Sequence, residues 1–260
     1  MERSRNVEKA AGKTSCLLGG RQADWAAPAR RLAASRKRSN AAGATIDTGS
    51  IPLTKTLAMK LVERILGHPW IFDYVRPLAV GGIDMSSAYR RLACDERAVV
   101  LDIGCGTGDA LTHIGHYRDY LGLDTDQVAL QHARTRHAER AQVQFECRRC
   151  GPNDFTTRPV SHVSMVGLLH HLSDAEAIEL LGMLRECPTL VRAVSLDIIY
   201  LDGRWYNNLL ASLDRGKYCR NAAGYTELVR SAGLQLTTQS IVRSHPTRGL
   251  VDYFIMEITR

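Results

Sequence analysis

Between positions 99 and 109 the chain reads Val-Val-Leu-Asp-Ile-Gly-Cys-Gly-Thr-Gly-Asp, and this stretch constrains the fold more than any other. Four apolar residues in the first five positions, followed by glycines at 104, 106 and 108, predict a buried strand that runs into a tight turn. Residues 110–114 have the composition to start a helix behind it. Glycine is required where backbone takes positive φ or approaches a ligand closely, and N–H groups at a helix start attract negative charge. The combination predicts a binding loop for a nucleotide-like cofactor.

The glycine spacing narrows the cofactor. A dinucleotide fingerprint runs G-x-G-x-x-G, which would demand glycine at 109, where Asp109 stands. The run is instead D-x-G-x-G-x-G, with Asp102 two residues before Gly104, and it resembles motif I of the class I S-adenosylmethionine-dependent methyltransferases.

Downstream residues extend the pattern. Residues 120–124, Tyr-Leu-Gly-Leu-Asp, read as a second strand ending on Asp124, and parallel sheets bind ligands at the carboxyl ends of their strands. A carboxylate there accepts hydrogen bonds from ribose hydroxyls. Asp126 is suited to cap the next helix, which runs to His137. Residues 143–147 alternate as a third strand, 160–167 form a fourth, and 190–197 a fifth. Ser173 and Glu176 have capping-box spacing, so a helix starts there. Gly233 stops a helix, and 234–242 and 250–258 give two closing strands. The fold that the resemblance implies is α/β and Rossmann-like: a seven-stranded sheet of order 3-2-1-4-5-7-6, the last strand antiparallel, with helices on both faces.

The resemblance implies roles as well. Gly104, Cys105, Gly106 and Gly108 would pass beneath the methionine part of the cofactor. Asp102 would hold its amino group, Asp124 and Thr125 its ribose, Asp154 its adenine amino group, and Leu169 would also line the site. In this family the acceptor lies near the end of strand four, here the His170-His171 pair, and His171 ahead of His170 is the candidate base for a hydroxyl acceptor, since imidazole titrates near neutral pH. His162 stands where the family usually has aspartate. Tyr74, Tyr206, Arg215, Tyr218 and Arg220 are candidate acceptor contacts, the last three within an Asp-Arg-Gly-x-x-x-Arg run at 214–220 followed by Tyr225. The competing reading of Asp214, Arg215 and Arg220 is a structural ion-pair and capping network.

Domain organisation follows charge and texture. Residues 1–40 carry seven Arg and three Lys against three acids, while the remaining residues balance. Residues 1–52 therefore read as a basic, disordered extension, and 53–260 as the methyltransferase domain, with 53–97 a helical lid and 199–232 a substrate-side insertion. No apolar run approaches the ~20 residues of a membrane helix, and the start of the chain lacks a secretory pattern, which predicts a cytoplasmic enzyme without a membrane partner.

Seven scattered cysteines do not form a disulfide framework. The Cys147–Cys150 pair lacks the second ligand pair zinc would need, and no metal is expected. The expected activity is methylation of a small molecule, on oxygen. The alternatives are an RNA-directed methyltransferase using the basic tail and a scaffold that binds cofactor without turnover. The balanced core argues against nucleic acid, as does the absence of the Asn/Asp-Pro-Pro-aromatic signature of base-modifying enzymes. Oligomeric state is not encoded legibly.

Overall fold

The computed structural model describes residues 84–214 and 216–260. Seven strands form one sheet: β1 (Val99–Ile103), β2 (Asp119–Asp124), β3 (Val143–Cys147), β4 (His162–Val166), β5 (Arg192–Ile198), β6 (Gln235–Arg243) and β7 (Asp252–Thr259). Their order is β3-β2-β1-β4-β5-β7-β6, with β1 to β5 parallel and β7 antiparallel to both neighbours. This is the order and strand sense expected from the sequence.

All five residues of β1 are buried, because a central parallel strand is covered on both faces. Its side chains alternate between two cores. Val99, Leu101 and Ile103 join Leu181 and Leu184 of α4 (Asp174–Arg185) and Tyr225 and Leu228 of α6 (Ala222–Ser231). On the opposite face, Val100 meets Ala88 and Leu92 beside α1 (Ser86–Arg91), and Ala211 of α5 (Trp205–Ser212). The described part of the expected lid thus packs on the sheet, and Arg91 pairs with Glu257 of β7 at 3.0 Å. The rest of that segment, with Tyr74, and the N-terminal extension lie outside the described residues, as does Arg215.

Caps fall where local chemistry puts them. Asp126 accepts from Val128 N and Ala129 N to start α2 (Gln127–Arg136), Ser173 and Glu176 form the reciprocal box of α4, and Gly233 leaves α6 at φ +73°. The first crossover departs from expectation. Instead of an α-helix, β1 is followed by one 3-10 turn, Asp109–Thr112, before β2 begins at Asp119.

Candidate cofactor and acceptor site

The glycine turn is built from β1 outward. Gly104, Gly106 and Gly108 all take positive φ, of +76°, +52° and +76°, where a side chain would be strained. Gly104 N and Cys105 N donate to Leu123 O of the neighbouring strand at 2.8 and 3.1 Å, which folds the turn back over β2. Gly106 N donates to Asp124 Oδ2 at 2.8 Å, and Asp126 N to Asp124 Oδ1 at the same distance. Asp124 therefore fixes the turn, and each of its oxygens retains a lone pair for a hydroxyl. A Cβ at Gly106 would enter open space, whereas at Gly108 it would lie 3.0 Å from the His137 ring.

His137 is a brace that sequence reading missed. Its Nε2 lies 3.0 Å from Gly108 O, and its ring packs beside Phe145. Burial lowers its pKa, which favours a neutral ring donating to that carbonyl. Gly122 in β2 is required by the same packing, since a Cβ there would stand 2.7 Å from Phe145 and 2.8 Å from Cys105 Sγ.

Asp102 is buried and accepts from Tyr120 Oη at 2.6 Å. Burial pushes its carboxyl up to about 6 despite the Tyr120 and Ser164 hydroxyls beside it. Asp154, also buried, is gripped by Arg148 at 2.6 and 2.8 Å and by Gly151 N at 2.9 Å. Burial pulls its pKa upward, but these donors hold it below the usual value. The adenine amino group assigned to it would have to share an already engaged carboxylate. Thr125 is exposed beside Asp124, and Leu169 is wholly buried in the core, so its side chain supports the site from beneath.

The second half of the site lies at the ends of β4 and β5. Leu168 touches Gly104, since a Cβ there would meet its Cδ1 at 3.2 Å, and a 3-10 turn, Leu169–His171, follows. His170 is buried between two carboxylates: Nδ1 is 2.8 Å from Asp197 Oδ1, and Nε2 is 3.2 Å from Asp214 Oδ1. Burial alone would depress this histidine, yet hydrogen bonds to Asp197 and Asp214 push it up to about 9. Asp197 also accepts from His170 N at 3.1 Å and Ser195 Oγ at 2.7 Å. His171 is exposed, its ring centroid 4.2 Å from that of His170. Of the two expected bases, His170 is pushed toward its charged form by the carboxylates on both sides, while His171 faces solvent.

The 214–220 segment is clamped onto this turn. Tyr218 N donates to His170 O at 3.0 Å, and Gly216 packs so closely on His170 that a Cβ would lie 2.1 Å from its ring. Arg220 donates to Leu169 O, Leu172 O, Tyr218 O and Asp174 Oδ1 at 2.6 to 3.0 Å. Its guanidinium is a strut within the wall. Tyr218 is 41% exposed on the same segment, while Tyr206 packs edge-on against Trp205 at the start of α5. His162, at the start of β4, bonds to Ser161 Oγ at 2.8 Å and lies at the strand end away from the glycine turn.

A glycine turn at the carboxyl edge of β1, a carboxylate ending β2 and a reversed β7 beside β5 define the class I methyltransferase architecture. Residues 100–189 match a family model described as a methyltransferase domain. Over those residues the chain carries a methyltransferase domain, whose cofactor is S-adenosylmethionine. No curated protein matches it in sequence. Among solved structures it is similar to the cyclopropane synthase MmaA2 from Mycobacterium tuberculosis, at 13% identity and TM-score 0.53 over 68% of this chain and 82% of that one. The mycolic acid cyclopropane synthase CmaA1, complexed with SAH and CTAB, gives 12% and 0.52 over the same shares. The YcgJ protein from Bacillus subtilis gives 11% and 0.50 over 68% and 97%. At these identities the likenesses establish the fold alone.

Residues of this chain fit the cofactor. The open space over Gly106 and the lone pairs of Asp124 give room and acceptors, and Asp102 is the carboxylate that would meet the cofactor's ammonium group.

Proposed function

We propose that the chain methylates a hydroxyl oxygen of a small-molecule acceptor seated over the carboxyl ends of β4 and β5. The observation that carries this reading is the exposed His171 ring, three residues beyond Leu168, which meets the glycine turn, and held against the carboxylate-bound His170. When bound, the cofactor supplies a sulfonium methyl, already an activated electrophile. The protein's share is alignment and exclusion of water. Asp102 and Asp124 hold the cofactor's amino group and ribose, the glycine turn lies beneath, and the clamped 214–220 segment walls the acceptor side. His171 takes the acceptor proton as the bond to carbon forms.

A small acceptor is favoured by the even balance of charge beyond residue 40 and by Leu168–Leu172 standing where base-modifying enzymes carry their Pro-Pro signature. We place the reaction in the cytoplasm, a reducing compartment in keeping with the free thiols of the described residues. No described helix is long and apolar enough to cross a membrane.

The test is incubation with labelled cofactor and a metabolite extract, followed by a search for the mass that gains a methyl group. An O-methylated product, with kcat lowered tenfold or more by His171→Ala at unchanged cofactor affinity, is the expected result. Methyl transfer to nitrogen or carbon refutes the oxygen assignment, and cofactor binding without any product refutes turnover.

A further inference from the structure

His170, His171 and Asp214 converge: one ligand atom from each lies within 4.8 Å of the other two. They come from two segments, the turn after β4 and the loop after α5, and no spacing in the sequence announces them.

Three features go beyond proximity. First, the ring of His170 is oriented. Asp197 Oδ1 is 2.8 Å from Nδ1 and also accepts the His170 backbone N–H, so Nδ1–H is held on that carboxylate and Nε2 is aimed at Asp214, and an incoming ion would displace the proton that Nε2 shares with Asp214. Metal-binding histidines are oriented in this way, with the far nitrogen donating to a carboxylate. Asp197 is itself fixed by Ser195 Oγ at 2.7 Å. Second, the Nε2 to Asp214 Oδ1 separation of 3.2 Å matches two ligands each ~2.0–2.1 Å from a tetrahedral ion. Third, the support is rigid. Gly216 N holds Asp214 Oδ1 at 2.7 Å, and Tyr218 N and Arg220 fasten the loop to the histidine turn. The His170 and Asp214 side chains are 5% and 1% exposed, while His171 opens the cluster to solvent.

We propose that His170 Nε2, His171 and Asp214 bind a divalent first-row transition ion, with Asp197 as the positioning carboxylate behind His170. Two imidazoles and one carboxylate suit zinc, manganous or ferrous ions better than magnesium or calcium, which take oxygen ligands. Three protein ligands leave positions open on the exposed side. The ligand class implied there is an acceptor carrying an oxygen donor next to the methylated atom. That last step rests on the hydroxyl-acceptor reading: with His171 bound to the ion, the coordinated acceptor hydroxyl would lose its proton to water on the exposed side, and its oxygen would take the methyl from the sulfonium, leaving the neutral thioether.

The test uses the full chain, stripped with a chelator and titrated with cobaltous and zinc ions by calorimetry and visible absorption. Expected are one ion per chain, cobalt bands of nitrogen and oxygen ligation, and affinity at least tenfold weaker in both Asp214→Asn and His171→Ala. Glu186→Gln, an exposed carboxylate at the end of α4 that pairs with Arg185, should bind as wild type. His171 is exposed, so its variant removes a donor without opening the core. Absence of stoichiometric binding, thiolate charge-transfer bands, or undiminished affinity in both variants would overturn the site and leave a protein-only hydrogen-bonded cluster. Cofactor affinity is measured on the same samples. Intact cofactor binding without metal overturns this inference alone, whereas loss of cofactor binding from the wild type overturns the functional reading.

Discussion

Asp102 is expected to destabilise the protein it serves. Its carboxyl is buried in the middle of the sheet and pushed from 3.8 up to about 6, burial being the main cause. A carboxyl whose folded pKa is raised keeps its proton longer in the native state than in the unfolded chain, so native stability falls as pH rises from about 4 through 6. Above that window the ionised form costs about 3 kcal/mol, from roughly two pH units at 1.4 kcal/mol each. Asp102→Asn removes the charge and keeps the bonding pattern. Its amide oxygen accepts from Tyr120 Oη, now 2.6 Å from the carboxylate, and its NH₂ faces the Ser164 hydroxyl. Urea unfolding at pH 7.5 should therefore show the variant more stable by about 1–3 kcal/mol, a rise of several degrees in Tm for a domain of this size. At pH 4 the gain should vanish. The same variant should lose cofactor affinity tenfold or more, because an amide offers no countercharge to an ammonium group. An Asp102→Asn protein less stable than wild type at pH 7.5, or one that binds cofactor as well, would refute the reasoning.

The remaining perturbations test the turn and its supports. Asp124→Ala removes the carboxylate that holds Gly106 N and Asp126 N; calorimetry should show cofactor affinity down tenfold or more, and unchanged affinity would displace the ribose from this residue. Gly122→Ala drives a Cβ to 2.7 Å from Phe145, a clash worth about 1–3 kcal/mol, and Phe145→Leu should restore much of the loss in thermal unfolding. Arg220→Ala leaves the Leu169 and Leu172 carbonyls without their donor and should cost about 2–4 kcal/mol. Arg220→Lys should rescue little, because one ammonium cannot span the positions the guanidinium reaches. An Arg220→Ala protein of normal stability but raised acceptor KM would instead make Arg220 a substrate contact.

What was legible in the sequence is what lies along one stretch of backbone. The apolar run into alternating glycines needs only local sterics to declare a strand and a tight turn, and Asp124 declares itself by ending the next strand at the ligand edge. The sheet order came with the resemblance that the glycine run carries, and right-handed parallel crossovers with a closing antiparallel pair are compatible with it. The acceptor side is different, because its chemistry is made by long-range pairing. His170 meets Asp197 across 27 positions and Asp214 across 44, and each side chain alone has an ordinary local meaning: a polar strand end, a turn residue, a surface histidine. Position offered one usable signal. Asp197 lies one residue before the end of β5 and Asp124 ends β2, and a carboxylate at the carboxyl edge of a parallel strand raises the same question in both places. Arg148 between two cysteines was legible only as noise, yet it holds Asp154 and so competes with the adenine contact assigned there. Gly216 shows why the 214–220 run resisted reading: its lack of a side chain serves no turn of positive φ, but the close approach of a histidine ring 46 residues earlier in the chain. That contact makes the loop and the histidine turn one rigid wall, so the acceptor is selected by residues that the sequence keeps apart and the sheet edge brings together.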